Sequence, residues 1–86
     1  MLLEVITPQK TVFSGEVSLI KVPGSKGSFE ILKNHAPVIS TLSPGELKFA
    51  INDGEVRYYR TGNGVVEIKN NHVIVLVDSL EKITMP

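Results

Sequence analysis

Turn-forming residues punctuate this chain every 8–12 positions, so that no uninterrupted run places apolar residues at i, i+3, i+4 and i+7, the spacing of an amphipathic helix. Between the turns lie short runs rich in Val, Ile, Thr, Tyr and Phe, side chains that pack well on a pleated surface. Together these features predict an all-β chain: an antiparallel β-sandwich or flattened barrel of about nine to ten short strands in two sheets, with no helical hairpin. Eighty-six residues make a single domain, 1–86, whose core buries roughly 60–68% of the unfolded surface.

In chain order, Leu2–Thr7 reads as a first strand stopped by Pro8. Thr11–Val22 is too long and too β-branched for a helix, and Ser14–Gly15 predicts a bulge that bends one strand between two sheets. Within it Val17, Leu19 and Lys21 are expected on one face, and Ser18, Ile20 and Val22 on the other. Further on, Leu47, Phe49 and Ile51 alternate with Glu46, Lys48, Ala50 and Asn52. Asp53–Gly54 predicts a two-residue turn, which would set Ile51 opposite Val56 and Phe49 opposite Tyr58 and bury Val56 and Tyr58. A second hairpin is expected around Asn70–Asn71, with Val66 opposite Val75 and Ile68 opposite Val73. Val73–Val77 is apolar on both faces and belongs in the middle of a sheet, while Leu80–Met85 suits an edge.

The stretch Val22–Gly45 concentrates three of the five prolines, three of the seven glycines and one of the two histidines around a strand near Ser28–Leu32. Proline presets φ and glycine permits positive φ, so Pro23, Gly24 and Gly27 on one side and Pro37 on the other encode tight bends. A surface shaped in this way is where binding residues gather.

Charge narrows the partners. Nine basic and nine acidic residues cancel, and the lysines are scattered, which argues against nucleic acid or an anionic membrane surface. No cysteine is present for a disulfide or a thiolate site, and two histidines 37 positions apart are a poor start for a metal centre. The sequence therefore predicts no metal and no cofactor. Nor is an enzyme expected. Ser25 has Gly27 after it but Pro23 where a nucleophile elbow needs glycine, no glycine precedes a lysine as a Walker loop requires, and Gly62-Asn63-Gly64 runs into Val-Val-Glu. No apolar run approaches a bilayer span or a signal peptide. His35 has two readings, local packing beside Pro37 or an exposed contact residue; His72 reads as a solvated turn residue. Arg57-Tyr58-Tyr59-Arg60 reads as a structural strand in preference to a base-stacking platform.

Val22-Pro23-Gly24-Ser25-Lys26-Gly27-Ser28-Phe29, then His35-Ala36-Pro37 and Leu42-Ser43-Pro44-Gly45, resembles the epsilon subunit of F-type ATP synthases. Phe13-Ser14-Gly15, Gly64-Val65-Val66-Glu67-Ile68 and Val73–Asp78 extend the likeness along nearly the whole chain, and their order and spacing are specific. The resemblance implies an N-terminal β-sandwich of two five-stranded sheets at the foot of the central stalk. Its role would be to couple rotation of the c ring to the gamma subunit, without catalysis of its own, on the cytoplasmic face of the membrane. Lys26, Gly27, Ser28 and Phe29 would meet the polar loops of the c ring, and His35, Ala36, Pro37, Ile39 and Leu42 would lie near gamma and the ring. No small-molecule substrate or membrane insertion is implied; the other reading is a stand-alone β-sandwich binding module. Glu30 and Lys33-Asn34 stand where the family often has Gly and Pro-Gly, which leaves Asn34 to supply the left-handed bend. Most relatives continue into a two-helix domain that brakes ATP hydrolysis; a chain stopping at Pro86 is expected to couple without that brake.

Overall fold

One strand belongs to both layers of the sandwich. The computed structural model describes residues 1–52 and 54–84, and within them β2 (Thr11–Val22) pairs through its first half with β1 (Leu2–Ile6) and through its second half with β3 (Phe29–Leu32) and β5 (Gly45–Ile51). The first layer runs β4 (Val38–Leu42), β7 (Gly64–Lys69), β8 (His72–Val77), β1 and the start of β2. The second runs β3, the end of β2, β5, β6 (Val56–Thr61) and β9 (Leu80–Ile83). The two five-stranded sheets thus share a strand, and their inner faces form one core, in which Leu3, Val5, Ile20, Ile31, Leu47, Phe49, Val66, Val73 and Val75 are fully buried.

Where β2 changes layers, the register tells why. Val17 pairs with Ile51 and Leu19 with Ala50, so Ser18 is the extra residue of a bulge. The extra residue reverses the parity of the strand. Val17 is buried before it, Ile20 and Val22 after it, and the expected grouping of Val17 with Leu19 and Lys21 on one face is corrected accordingly. Ser14–Gly15, where the bend was expected, pairs regularly with Glu4 and Leu3. A second irregularity falls at Val12, since Val5 pairs with Phe13 and Ile6 with Thr11.

The β5–β6 hairpin also departs from expectation by one residue. Ile51 N–H donates to Glu55 C=O at 2.7 Å and Gly54 N–H to Ile51 C=O at 2.8 Å, so Ile51 stands opposite Glu55, a connection one residue longer than a two-residue turn gives, and Gly54 takes φ 100°. Asp53, half of the expected two-residue turn, lies outside the described residues. The longer loop pairs Leu47 with Tyr59 and Phe49 with Arg57. Tyr59 is therefore the buried tyrosine, at 7% exposure, while Tyr58 is half-buried and Val56 is 41% exposed. Tyr59 stacks on Phe49 with ring centres 5.8 Å apart, and Phe13 approaches Phe49 from β2 at 4.6 Å.

The β7–β8 hairpin has the expected register, Val66 opposite Val75 and Ile68 opposite Val73. Its turn residues Asn70 and Asn71 take φ 54° and 61°. Left-handed backbone costs most side chains about 1–2 kcal/mol, which asparagine offsets in part through local hydrogen bonding. Asn70→Ala should accordingly lower the unfolding free energy by about 1 kcal/mol and Asn70→Gly should not, a difference readable from urea midpoints. β8 is central as expected, but its pairing with β1 is parallel, the exception to an otherwise antiparallel fold among the described residues. Alternation of side chains is blind to strand direction, and no short turn joins β1 to β8 to force an antiparallel pairing. His72 belongs to this junction and is not a solvated turn residue: half-buried, its Nε2–H donates to Glu4 Oε1 at 2.7 Å. β9 lies at the edge of the second sheet beside β6.

Candidate functional site

The proline- and glycine-rich stretch builds one rim of the sandwich, held by its own backbone. Gly27 N–H donates to Gly24 C=O at 2.9 Å, forming a tight turn that Gly27 completes at φ 123°. A side chain at Gly24 would stand 2.7 Å from the Gly27 carbonyl oxygen and 2.9 Å from the Phe29 ring, so only glycine lets this turn lie against Phe29. The segment before the turn is tied to β4: Ser43 N–H donates to Pro23 C=O at 2.9 Å and Ser25 N–H to Thr41 C=O at 3.0 Å. Proline fits there because a strand-like position whose N–H has no partner loses nothing by lacking it.

The next bend is pinned in the same way. Asn34 takes the left-handed conformation at φ 65°, as its place ahead of His35 requires, and its N–H donates to Asn71 Oδ1 at 3.0 Å. His35 N–H donates to Leu32 C=O at 3.2 Å, and its ring Nδ1–H reaches the Ala36 carbonyl at 2.7 Å. Those bonds match the local reading of His35. They also fix the backbone that delivers Ala36 and Pro37, both exposed, to the surface.

Lys26, Gly27 and Ser28 are exposed at the turn, Phe29 is half-buried beneath them, and Ile39 stands 70% exposed on β4. Ile39 divides two depressions. A groove of about 600 Å³ lies between Ile39–Thr41 and the Gly24–Phe29 turn, and another of about 440 Å³ lies between Pro37–Ile39 and Glu67–Lys69. Leu42 differs from the other residues expected at this surface. It is a core side chain, 3% exposed, because β4 alternates and its even positions at the far end face inward. Sequence reasoning did not separate β4 as a strand, nor single out its free edge; the signal was Pro37 followed by Val38 and Ile39.

Elsewhere the arrangement offers little chemistry. Among the described residues no three His, Cys, Asp or Glu side chains gather as a metal site would need. No helix of the described residues is long and apolar enough to cross a membrane. Arg57 and Arg60 do fall on opposite faces of β6, and the run forms no stacking platform. Arg57 lies 5.5 Å from the Phe13 ring centre, and Lys48 Nζ 5.9 Å from that of Tyr58. A hydrogen bond to Glu55 Oε2 at 2.8 Å raises the Arg57 guanidinium above its ordinary range, so its charge persists at any working pH.

A family model described as the beta-sandwich domain of the ATP synthase delta/epsilon chain matches residues 1–83. The ATP synthase epsilon chain of Chlorobaculum tepidum is 33% identical over 78 residues, 91% of this chain and 89% of that one. That of Anaeromyxobacter sp. (strain K) is 37% identical over 79 residues, 92% of this chain and 59% of that one. For Desulfatibacillum aliphaticivorans the figures are 42% over 82 residues, 95% and 58%. The chain thus spans nearly all of the first relative and somewhat more than half of the other two. Among solved structures, a chain of the Euglena gracilis mitochondrial ATP synthase OSCP/F1/c-ring assembly superposes with a TM-score of 0.90 at 18% identity, over 95% of this chain and 52% of that one. One from the Tetrahymena thermophila mitochondrial ATP synthase central stalk and c ring gives 0.79 at 21%, over 93% and 64%. At those identities the structures establish a shared fold.

Proposed function

This chain belongs to the family of ATP synthase delta/epsilon chain beta-sandwich domains, and on that premise we propose that it is a non-catalytic rotor subunit of an F-type ATP synthase. It couples rotation of the c ring to the gamma subunit and sits peripherally on the cytoplasmic face of the membrane through the complex. The observation that carries this reading is the rim: a rigid, internally bonded surface whose exposed groups, Lys26 to Ser28, Ala36, Pro37 and Ile39, are those expected to meet gamma and the ring. A close-packed sandwich behind such a rim transmits force with little compression.

The test is association. The chain should co-purify with the gamma subunit and with the c ring, and Ile39→Asp should weaken that association at least about tenfold, as loss of an exposed apolar anchor does. Because Ile39 is already largely in water, the same substitution should leave the urea unfolding free energy within about 0.5 kcal/mol. A chain that binds neither gamma nor ring, but retains some other ligand, would instead be a stand-alone binding module.

A further inference from the structure

The free edge of β4 is only half covered. Ser25 N–H bonds Thr41 C=O and Ser43 N–H bonds Pro23 C=O, with Gly24 directly opposite Leu42. In a strand the N–H and C=O of one residue point to the same side, and the side alternates from residue to residue. Thr41 and Ser43 therefore fix the parity: Pro37 and Ile39 turn the same outward way, while Val38, Ser40 and Leu42 turn toward β7. The covering segment leaves the edge at Ser25, where the Gly24–Gly27 turn begins, and no backbone bond outside the strand ladders reaches Ile39 among the described residues. The N–H and C=O of Ile39 consequently stand on an open edge, beside the groove of about 600 Å³ and beneath a side chain that is 70% exposed.

An unpaired strand edge is a template for another strand. We infer that the partner is gripped by strand addition: an extended segment of the partner protein lies in this groove along β4, its C=O accepting from Ile39 N–H and its N–H donating to Ile39 C=O. The occupant is an extended peptide because the edge offers a donor and an acceptor at strand spacing, which neither a helix, whose backbone groups bond one another, nor an apolar ligand satisfies. Among the described residues Lys26 is the only ionisable side chain lining the groove, so the segment carries a carboxylate near the turn. Pro37, lacking an N–H, cannot donate to a further rung. With Ser25 closing the other end, the contact is short and has one register. This inference rests on the reading that the rim faces the stalk, and adds how it holds its partner.

Amide hydrogen exchange on the isotopically labelled chain, alone and bound to purified gamma subunit with c ring, gives the first readout. Ile39 N–H should exchange freely in the free chain and at least about tenfold slower in the complex, whereas Ser40 N–H, bonded toward β7, should be protected in both. The second is an amide-to-ester replacement at Ile39, which removes the donor and keeps the side chain; binding should fall up to about tenfold, with unfolding stability unchanged. A complex that forms normally while Ile39 exchanges as in the free chain, or while the ester binds as tightly as the amide, overturns strand addition and leaves the rotor reading standing. Failure to bind gamma or ring at all overturns both.

Discussion

Replacing Phe49 by alanine should remove roughly 3–5 kcal/mol of stability, the range for deleting a fully buried aromatic side chain. Phe49 has no exposed surface, and it sits between Phe13 at 4.6 Å and Tyr59 at 5.8 Å. Removing it empties the centre of a three-ring cluster drawn from β2, β5 and β6, strands whose backbones are held by sheet bonds and cannot collapse into the space. A domain of this length has about 4–13 kcal/mol to lose. Urea unfolding followed by circular dichroism would show the variant partly unfolded in water or close to it. A loss below about 1.5 kcal/mol would mean that the ring cluster is not where the core is tightest.

Gly64→Ala should be nearly as damaging, for a different reason. Gly64 opens β7 and pairs with Leu42 on one side and Val77 on the other. A side-chain carbon there would stand 2.8 Å from Val77 Cγ1 and 2.9 Å from Val77 Cα, and nearer still to the Leu76 carbonyl oxygen. The obstacles include the neighbouring strand's backbone, so relief requires parting β7 from β8, at a cost of about 3 kcal/mol. Gly62→Ala is the control. The groups it would meet most closely are the ends of the Asp78 and Ser79 side chains, which can swing aside, and its loss should be about 1 kcal/mol or less. Equal melting temperatures for the two variants would refute the distinction between a backbone and a side-chain obstacle.

Much of the architecture could be read from residue order. Leu47, Phe49 and Ile51 alternate and do face the core, and the Asn70–Asn71 turn fixed the register of its hairpin because two adjacent residues tolerant of left-handed backbone admit one loop length. What stayed hidden has one cause. A single residue more or less in a bulge or loop reverses every later face. Ser18 did so in β2, and the pairing of Ile51 with Glu55 exchanged Tyr58 for Tyr59 in the core. Parallel pairing of β1 with β8 was hidden because it depends on contacts between chain ends rather than on any turn. At the rim, Lys26 to Ser28 and Pro37 were legible from proline and glycine chemistry, as was the bend at Asn34. The outward turn of Ile39 and the inward turn of Leu42 were not, since they follow from the parity of β4, a strand only five residues long.

The passage of β2 from one sheet into the other bears on how the block would respond to a mechanical load. In a sandwich held only by side-chain contacts, a load on one layer can be lost as slip against its neighbour. Here Glu16 and Val17, consecutive along the chain, are ladder partners in different layers, Glu16 with Leu2 and Val17 with Ile51. Any sliding of one layer past the other has to deform that peptide backbone, so the block answers a twist as one piece: a pull on β4 crosses the first sheet through its ladder hydrogen bonds and passes between the layers along the covalent backbone of β2.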